Sequence, residues 1–197
     1  MLELPRTNGC LGCGPANPYG LKLALRVDPN TGIVTVPFSP AQEHIGFEGI
    51  VHGGLLATAL DEAMVWAATW NGKRFCVCGE LIVRFRSAAT VGARLTIEAR
   101  VEYSRPKLIQ AAATVRTPSG GVIAAAEGKY IPMAPDQSER MMRTFIPEPA
   151  TQAAMAILTK GIFPDPEPEP EPEPSPQPAA APVPPEQPSE GSVESHS

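Results

Sequence analysis

The chain runs to 197 residues, 43% hydrophobic and 19% charged, with 16 Lys and Arg against 21 Asp and Glu for a formal charge of −5. No dense Lys/Arg block marks a nucleic-acid surface, and no apolar run is long enough to span a bilayer. The totals conceal a break: after Lys160 there is no Lys or Arg, and residues 161–197 hold 12 of the 24 prolines and 8 of the acidic residues. Without that segment the remaining chain has a formal charge of +3, mild enough to suit an anionic small molecule without requiring one.

In chain order, "MLELPRTNGCLGCG" has no basic stretch followed by an apolar run, so no secretory leader is expected and a cytoplasmic protein is the default. "GLKLALRVD" (20–28) alternates Leu21, Leu23, Leu25 and Val27 with Lys22, Ala24 and Arg26. With "GIVTVPF" (32–38) across "PNTG" it predicts a hairpin. "PAQEHIGFEGIVHGG" predicts a loop, and from Gly54 to about Trp70 the pattern turns helical, with "NGK" (71–73) as the stop. This helix is apolar nearly all round, which assigns it to an interior or a subunit interface.

Four strand-like runs follow, 75–87, 93–103, 108–117 and 121–131, joined by the turn sequences "ATVG", "SRPK" and "PSGG". Two strands, one long helix and four strands predict an α+β domain over residues 1–134, an antiparallel sheet with one helix laid across it. Residues 135–160 form a C-terminal extension in which "ERMMRTFIPEPATQAAMAILTK" (139–160) predicts a short amphipathic helix interrupted by prolines and docked on the core. Residues 161–197, centred on "PDPEPEPEPEPSPQP", predict a disordered acidic tail, because almost nothing apolar offsets the entropy of ordering it.

The four cysteines fall as Cys10-x-x-Cys13 and Cys76-x-Cys78. Four thiolates suit a structural zinc, but two cysteines on one face of a strand chelate a tetrahedral ion awkwardly, so no metal is assigned.

The stretch "GIVHGGLLATALDEAM" (49–64) carries the chemistry. "HGG" opening the helix, with the Asp of "LDE" nine residues after the His in this strand order, resembles the hotdog-fold acyl-CoA thioesterases, in particular the phenylacetate-pathway (PaaI-like) branch. The resemblance covers roughly residues 8–133 and includes the lead-in "CLGCGPANPYGL" (10–21). It implies a sheet wrapped around a central helix, and a homodimer whose sheets join edge to edge, with the long helices antiparallel and two active sites at the interface. Pairing of dimers into tetramers is left open.

Carried over residue by residue, Asp61 matches the catalytic carboxylate and Gly53 the residue whose N–H polarises the thioester carbonyl. His52 matches the histidine before it. The chain departs from the family pattern at Gly46, where some members have Asn, at Ala88, where a proline is common, and near Cys78 and Gly79, where Ser or Thr is common.

The residues support that chemistry independently. A helix N-terminus presents unsatisfied N–H groups and a positive dipole end, and Gly53 and Gly54 let a ligand reach the backbone. These are the needs of an oxyanion hole. Asp61, eight residues on, lies about 12 Å along the axis, so one helix cannot bring both groups to one carbonyl, whereas an antiparallel partner helix can. Desolvation among Ala57, Met64, Val65 and Ala68 favours Asp61 as a base.

Glu62 points about 100° away around the helix and is expected to make a supporting contact at the site. Thr58, Phe47 and Arg86 complete the expected substrate contacts; Arg84 and Arg94 are further candidates for CoA phosphates. His44 shares the loop. The expected activity is hydrolysis of acyl-CoA to free acid and CoA without a cofactor, with Asp61 as general base or as nucleophile. The alternative is a non-catalytic acyl-CoA or acyl-carrier binding protein on the same fold, and a hydratase ranks behind both for want of a paired Asp/His loop motif.

Overall fold

The computed structural model describes residues 1–162. Its strands are β1 (Leu2–Glu3), β2 (Arg26–Val27), β3 (Val34–Phe38), β4 (Ile45–Phe47), β5 (Ile50–Val51), β6 (Cys76–Phe85), β7 (Leu95–Arg105), β8 (Leu108–Arg116) and β9 (Val122–Pro132). Its α-helices are α1 (Gly53–Gly72), α2 (Pro135–Met142) and α3 (Gln152–Ile162). Seven strands form one antiparallel sheet in the order β1-β2-β3-β7-β8-β9-β6, and β4 and β5 pair separately.

Period-two patterning decides which face of the sheet is covered. Val34, Val36 and Phe38 of β3, Leu95, Ile97 and Ala99 of β7, and Ile109, Ala111, Ala113 and Val115 of β8 are buried on one side, while Glu98 and Arg100 face solvent. α1 packs against β3, β6, β7, β8 and β9, burying Leu56, Ala59, Leu60, Ala63, Met64 and Ala67. Small side chains on the strands, Ala111, Ala113, Ala124 and Ala126, leave room for a long helix to lie against the sheet. Truncating Leu60, which is fully buried, would cost about 2–5 kcal/mol through lost transfer energy and the cavity left behind.

The predicted architecture, an antiparallel sheet around one long helix, is the one observed, and the helix is longer than predicted by one residue at its start and two at its end. Lys73 ends it in the left-handed conformation, φ 52°.

The predicted strand 20–28 is corrected: only Arg26–Val27 pair with β3. Lys22 takes φ 52°, which a strand cannot accommodate. The backbone instead bonds the lead-in, Leu21 N–H to Leu11 O (2.8 Å) and Leu23 N–H to Gly12 O (2.9 Å). Leu21, Leu23 and Leu25 are nevertheless buried, so the alternation reported burial rather than strand pairing.

The predicted loop before α1 contains a 3-10 turn at Gln42–His44 and the β4–β5 pair. Beyond β9, the single interrupted helix predicted at 139–160 is two helices. Pro135 opens α2 at its first turn, where its missing N–H costs nothing, and Pro147 and Pro149 separate it from α3. Arg6 bonds Glu148 at 2.9 Å, Ile146 N–H reaches Arg6 O (2.9 Å), and Phe145 joins Trp66 and Phe75 in an aromatic cluster. Ala154, Leu158 and Ile162, one face of α3, are buried. Gly161 and Ile162 therefore belong to α3, not to the tail; the rest of the predicted disordered tail lies outside the described residues.

Candidate active site

The N-terminus of α1 opens into a cleft of about 380 Å³ lined by Phe47, Ile50, Gly53, Leu56, Phe85 and Arg86 among others. The loop before it is held by the backbone: His52 N–H donates to His44 O (2.8 Å) and Val51 N–H to Ala89 O (2.9 Å). His44 is buried, and its Nδ1 accepts the Ala41 N–H at 2.9 Å, so it orders the loop from inside. The His52 ring does the same at the helix start, its Nδ1 accepting the Gly54 N–H at 2.9 Å as an N-cap.

That cap consumes one of the first-turn donors and leaves another. The Gly53 N–H precedes the intrahelical ladder and has no partner among the described residues. A Cβ at residue 53 would stand 3.2 Å from Phe85 Cζ, so glycine keeps the space between this N–H and the ring open. Gly46, at the position where the resemblance led to Asn, packs directly on His52; a Cβ there would lie 3.0 Å from His52 Cα.

Asp61 sits elsewhere on α1. Tyr130, fully buried on β9, donates its hydroxyl to Asp61 Oδ1 at 2.8 Å, and the Cys78 thiol faces the same carboxylate. Burial, reinforced by the adjacent Asp61 charge, holds the Tyr130 hydroxyl far above the usual phenol range, so it stays protonated and serves as a donor. A Cβ at residue 128 would stand 2.7 Å from the Tyr130 ring. Gly128 is thus the strand glycine that lets the ring fold back toward α1, a sequence signal for Tyr130 that went unread.

Glu62 turns away from the cleft toward the lead-in loop, where the Cys10 thiol approaches its Oε1 at 3.9 Å. Burial, then the neighbouring Cys10, pushes its carboxyl up to about 7. Thr58 bonds its own helix, Oγ1 donating to Gly54 O at 2.9 Å. Arg86 lines the cleft, whereas Arg84 pairs with Glu127 at 2.7 Å. One chain therefore gathers Gly53, Phe47 and Arg86 at the cleft. It leaves Asp61 and Glu62 outside the cleft lining, each in different company.

Residues 48–124 match the model of the thioesterase superfamily. Among solved structures, a thioesterase superfamily protein aligns with a TM-score of 0.58 at 24% identity, over 63% of this chain and 60% of its own, so this chain spans less than two thirds of that relative. The Escherichia coli PaaI protein from the phenylacetic acid degradation operon aligns at 0.53 and 19%, covering 58% of this chain and 81% of PaaI. The fold is a hotdog, and residues 48–124 are similar to the thioesterase superfamily.

A Streptococcus mutans protein solved with acetyl-CoA shares the hotdog fold at a TM-score of 0.53 and 17% identity, over 57% of this chain and 89% of that one. No curated protein matches the chain. No helix among the described residues of the hotdog domain or its extension is long and apolar enough to cross a membrane.

Proposed function

We propose that this hotdog protein hydrolyses an acyl-CoA thioester to the free acid and CoA, in two sites shared between the subunits of a homodimer. The observation that carries the reading is the free Gly53 N–H at the mouth of an apolar cleft, on the same helix as a carboxylate that a buried tyrosine holds in place. The N–H and the positive end of α1 stabilise the oxyanion that forms when water adds to the carbonyl. Asp61, aimed by Tyr130, takes the proton of that water as general base; direct attack by the carboxylate through a mixed anhydride uses the same placement. The His52 cap pins the helix start, and Phe47 and Phe85 give the acyl group apolar walls. Arg86 is the cation at the rim for the CoA phosphates. The acetyl-CoA held by the Streptococcus mutans neighbour supports the ligand class.

The dimer follows from two features. Gly53 and Asp61 are about 12 Å apart along one helix, too far to serve one carbonyl. β6 is a ten-residue edge strand, and it and the cleft expose Val77, Ile82, Phe85, Ile50 and Phe47, the last at 80%. A long edge with apolar side chains is a template for pairing with another strand, here the same strand of a second copy.

The test is free-thiol release from short, medium and aromatic acyl-CoAs, with a complementation arm. Asp61→Ala and Gly53→Val chains, each inactive alone, are refolded together. An isologous shared site restores about a quarter of wild-type turnover, since half the chains enter mixed dimers carrying one intact site of two. No thiol release by folded, dimeric wild type would favour the binding-protein alternative, and no rescue on mixing would place both groups of a site on one chain.

A further inference from the structure

Cys10, Cys13 and Glu62 bring two sulfurs and a carboxylate oxygen within 4.8 Å of one another, away from the residues assigned to thioester chemistry. Cys13 is buried, and Cys10 and Glu62 are partly so. Glu62 takes part in none of the ion pairs among the described residues. The sequence argued against a metal because Cys76-x-Cys78 completes a tetrahedron poorly. The structure sends Cys78 elsewhere, its thiol donating to Glu80 O at 3.5 Å, and supplies the third ligand from the helix instead.

The lead-in is shaped around the Cys10 sulfur. The Cys13 N–H donates to Cys10 Sγ at 3.3 Å, and the Gly14 N–H closes the turn on Cys10 O at 3.0 Å. A backbone N–H donated to one sulfur of a C-x-x-C-G turn favours a thiolate, the form that binds metal. Gly14 is required by space, and Gly12 leaves room for the Glu62 carboxylate. A Cβ at residue 14 would stand 2.5 Å from Asn8 O and Cys10 O, and one at residue 12 would stand 2.6 Å from Glu62 Oε2. The turn is therefore seated on the carboxylate, not merely near it.

We propose that Cys10, Cys13 and Glu62 bind a single Zn²⁺ ion that staples the N-terminal lead-in to the central helix. Two thiolates select a thiophilic ion such as zinc over magnesium or calcium, and C-x-x-C is the spacing that puts two sulfurs on one such ion. Binding releases the thiol protons to solvent, and the two positive charges of the ion offset most of the negative charge that two thiolates and a carboxylate gather in a partly dry place. Cys10, Cys13 and Glu62 themselves line a cleft of about 170 Å³ together with Thr7, Trp66, Thr69, Phe75, Cys76 and Phe145, with room for a water to complete the ion's shell. Cys76 lines that cleft as well, with its thiol donating to Arg74 O at 3.3 Å.

The full chain is stripped with a chelator under reducing conditions and titrated with Co²⁺, then Zn²⁺. The expected result is one ion per chain, a cobalt–thiolate charge-transfer absorption that Zn²⁺ abolishes, and protection of Cys10 and Cys13 from alkylation by peptide mass spectrometry. Cys10→Ser and Glu62→Gln each weaken Zn²⁺ binding about tenfold or more, while Cys78→Ser binds as wild type does. If a cysteine variant fails to fold, the alkylation protection of wild type decides. Absence of the cobalt–thiolate band, unchanged affinity in Glu62→Gln, or a Cys10–Cys13 disulfide forming in air with no metal uptake would each overturn the proposal. None of these readouts depends on thioester turnover.

Discussion

Asp61 and Glu62 are chemically similar neighbours on one helix, yet they live in two different regions of the molecule. Asp61 faces the sheet side, where Tyr130 of β9 and the Cys78 thiol meet it. Glu62, about 100° around the helix, faces the lead-in loop and its two thiols. One carboxylate is oriented by a hydroxyl donor in a manner suited to receiving a proton from water. The other is clustered with two thiols and makes no ion pair among the described residues. The difference teaches that adjacent residues of the "LDE" sequence enter two separate environments, because helical twist turns them to different sides of α1.

Substitutions sharpen that contrast in order of effect. Asp61→Asn should lower kcat by about 10²–10⁴-fold with thermal stability nearly unchanged, while Glu62→Gln keeps most of the turnover; equal losses in both, measured by thiol release, would erase the distinction. Tyr130→Phe removes the donor to Asp61 and should destabilise by about 1–3 kcal/mol, the cost of leaving a partly buried charged group short of a partner. It should also reduce kcat, by less than Asp61→Asn. Denaturant melts and kinetics on the same preparation check both parts, and a Tyr130→Phe enzyme with wild-type kcat would make the tyrosine purely structural.

His52→Ala should cost about 0.5–2 kcal/mol through the lost cap, with a larger effect on KM than on kcat if the ring only fixes the helix start. A kcat loss comparable to that of Asp61→Asn would instead put the imidazole at the reacting atoms. Thr58→Ala should stay within about 0.5 kcal/mol of wild type, because its hydroxyl bonds only its own helix; a clear rise in KM would return it to the substrate site.

Much of the fold was legible because it rests on local periodicity. Alternation over β3, β7, β8 and β9 and the unbroken apolar helix are properties of ten-residue windows, and each read correctly in type and nearly in length. The failures have a common cause. Leu21, Leu23 and Leu25 alternate as a strand does, but the lead-in competes for the backbone donors of Leu21 and Leu23 and Lys22 turns left-handed, so the segment is buried without joining the sheet. The helices flanking Pro147 and Pro149 are set by docking on Arg6, Trp66 and Phe75, partners 70 or more residues away in sequence.

The sequence by itself determined the helix with glycines at its start and a carboxylate two turns in, because turn chemistry and helical rise act between near neighbours. It also determined that Gly53 and Asp61 of one chain stand too far apart to share a carbonyl, since that follows from the rise alone. Only the tertiary structure decided that Tyr130 meets Asp61, 69 residues away, and that Cys10 and Cys13 meet Glu62 instead of the other cysteines. Those contacts depend on how the sheet and the lead-in pack on different sides of α1, a long-range choice made by burial and sterics that no local pattern encodes.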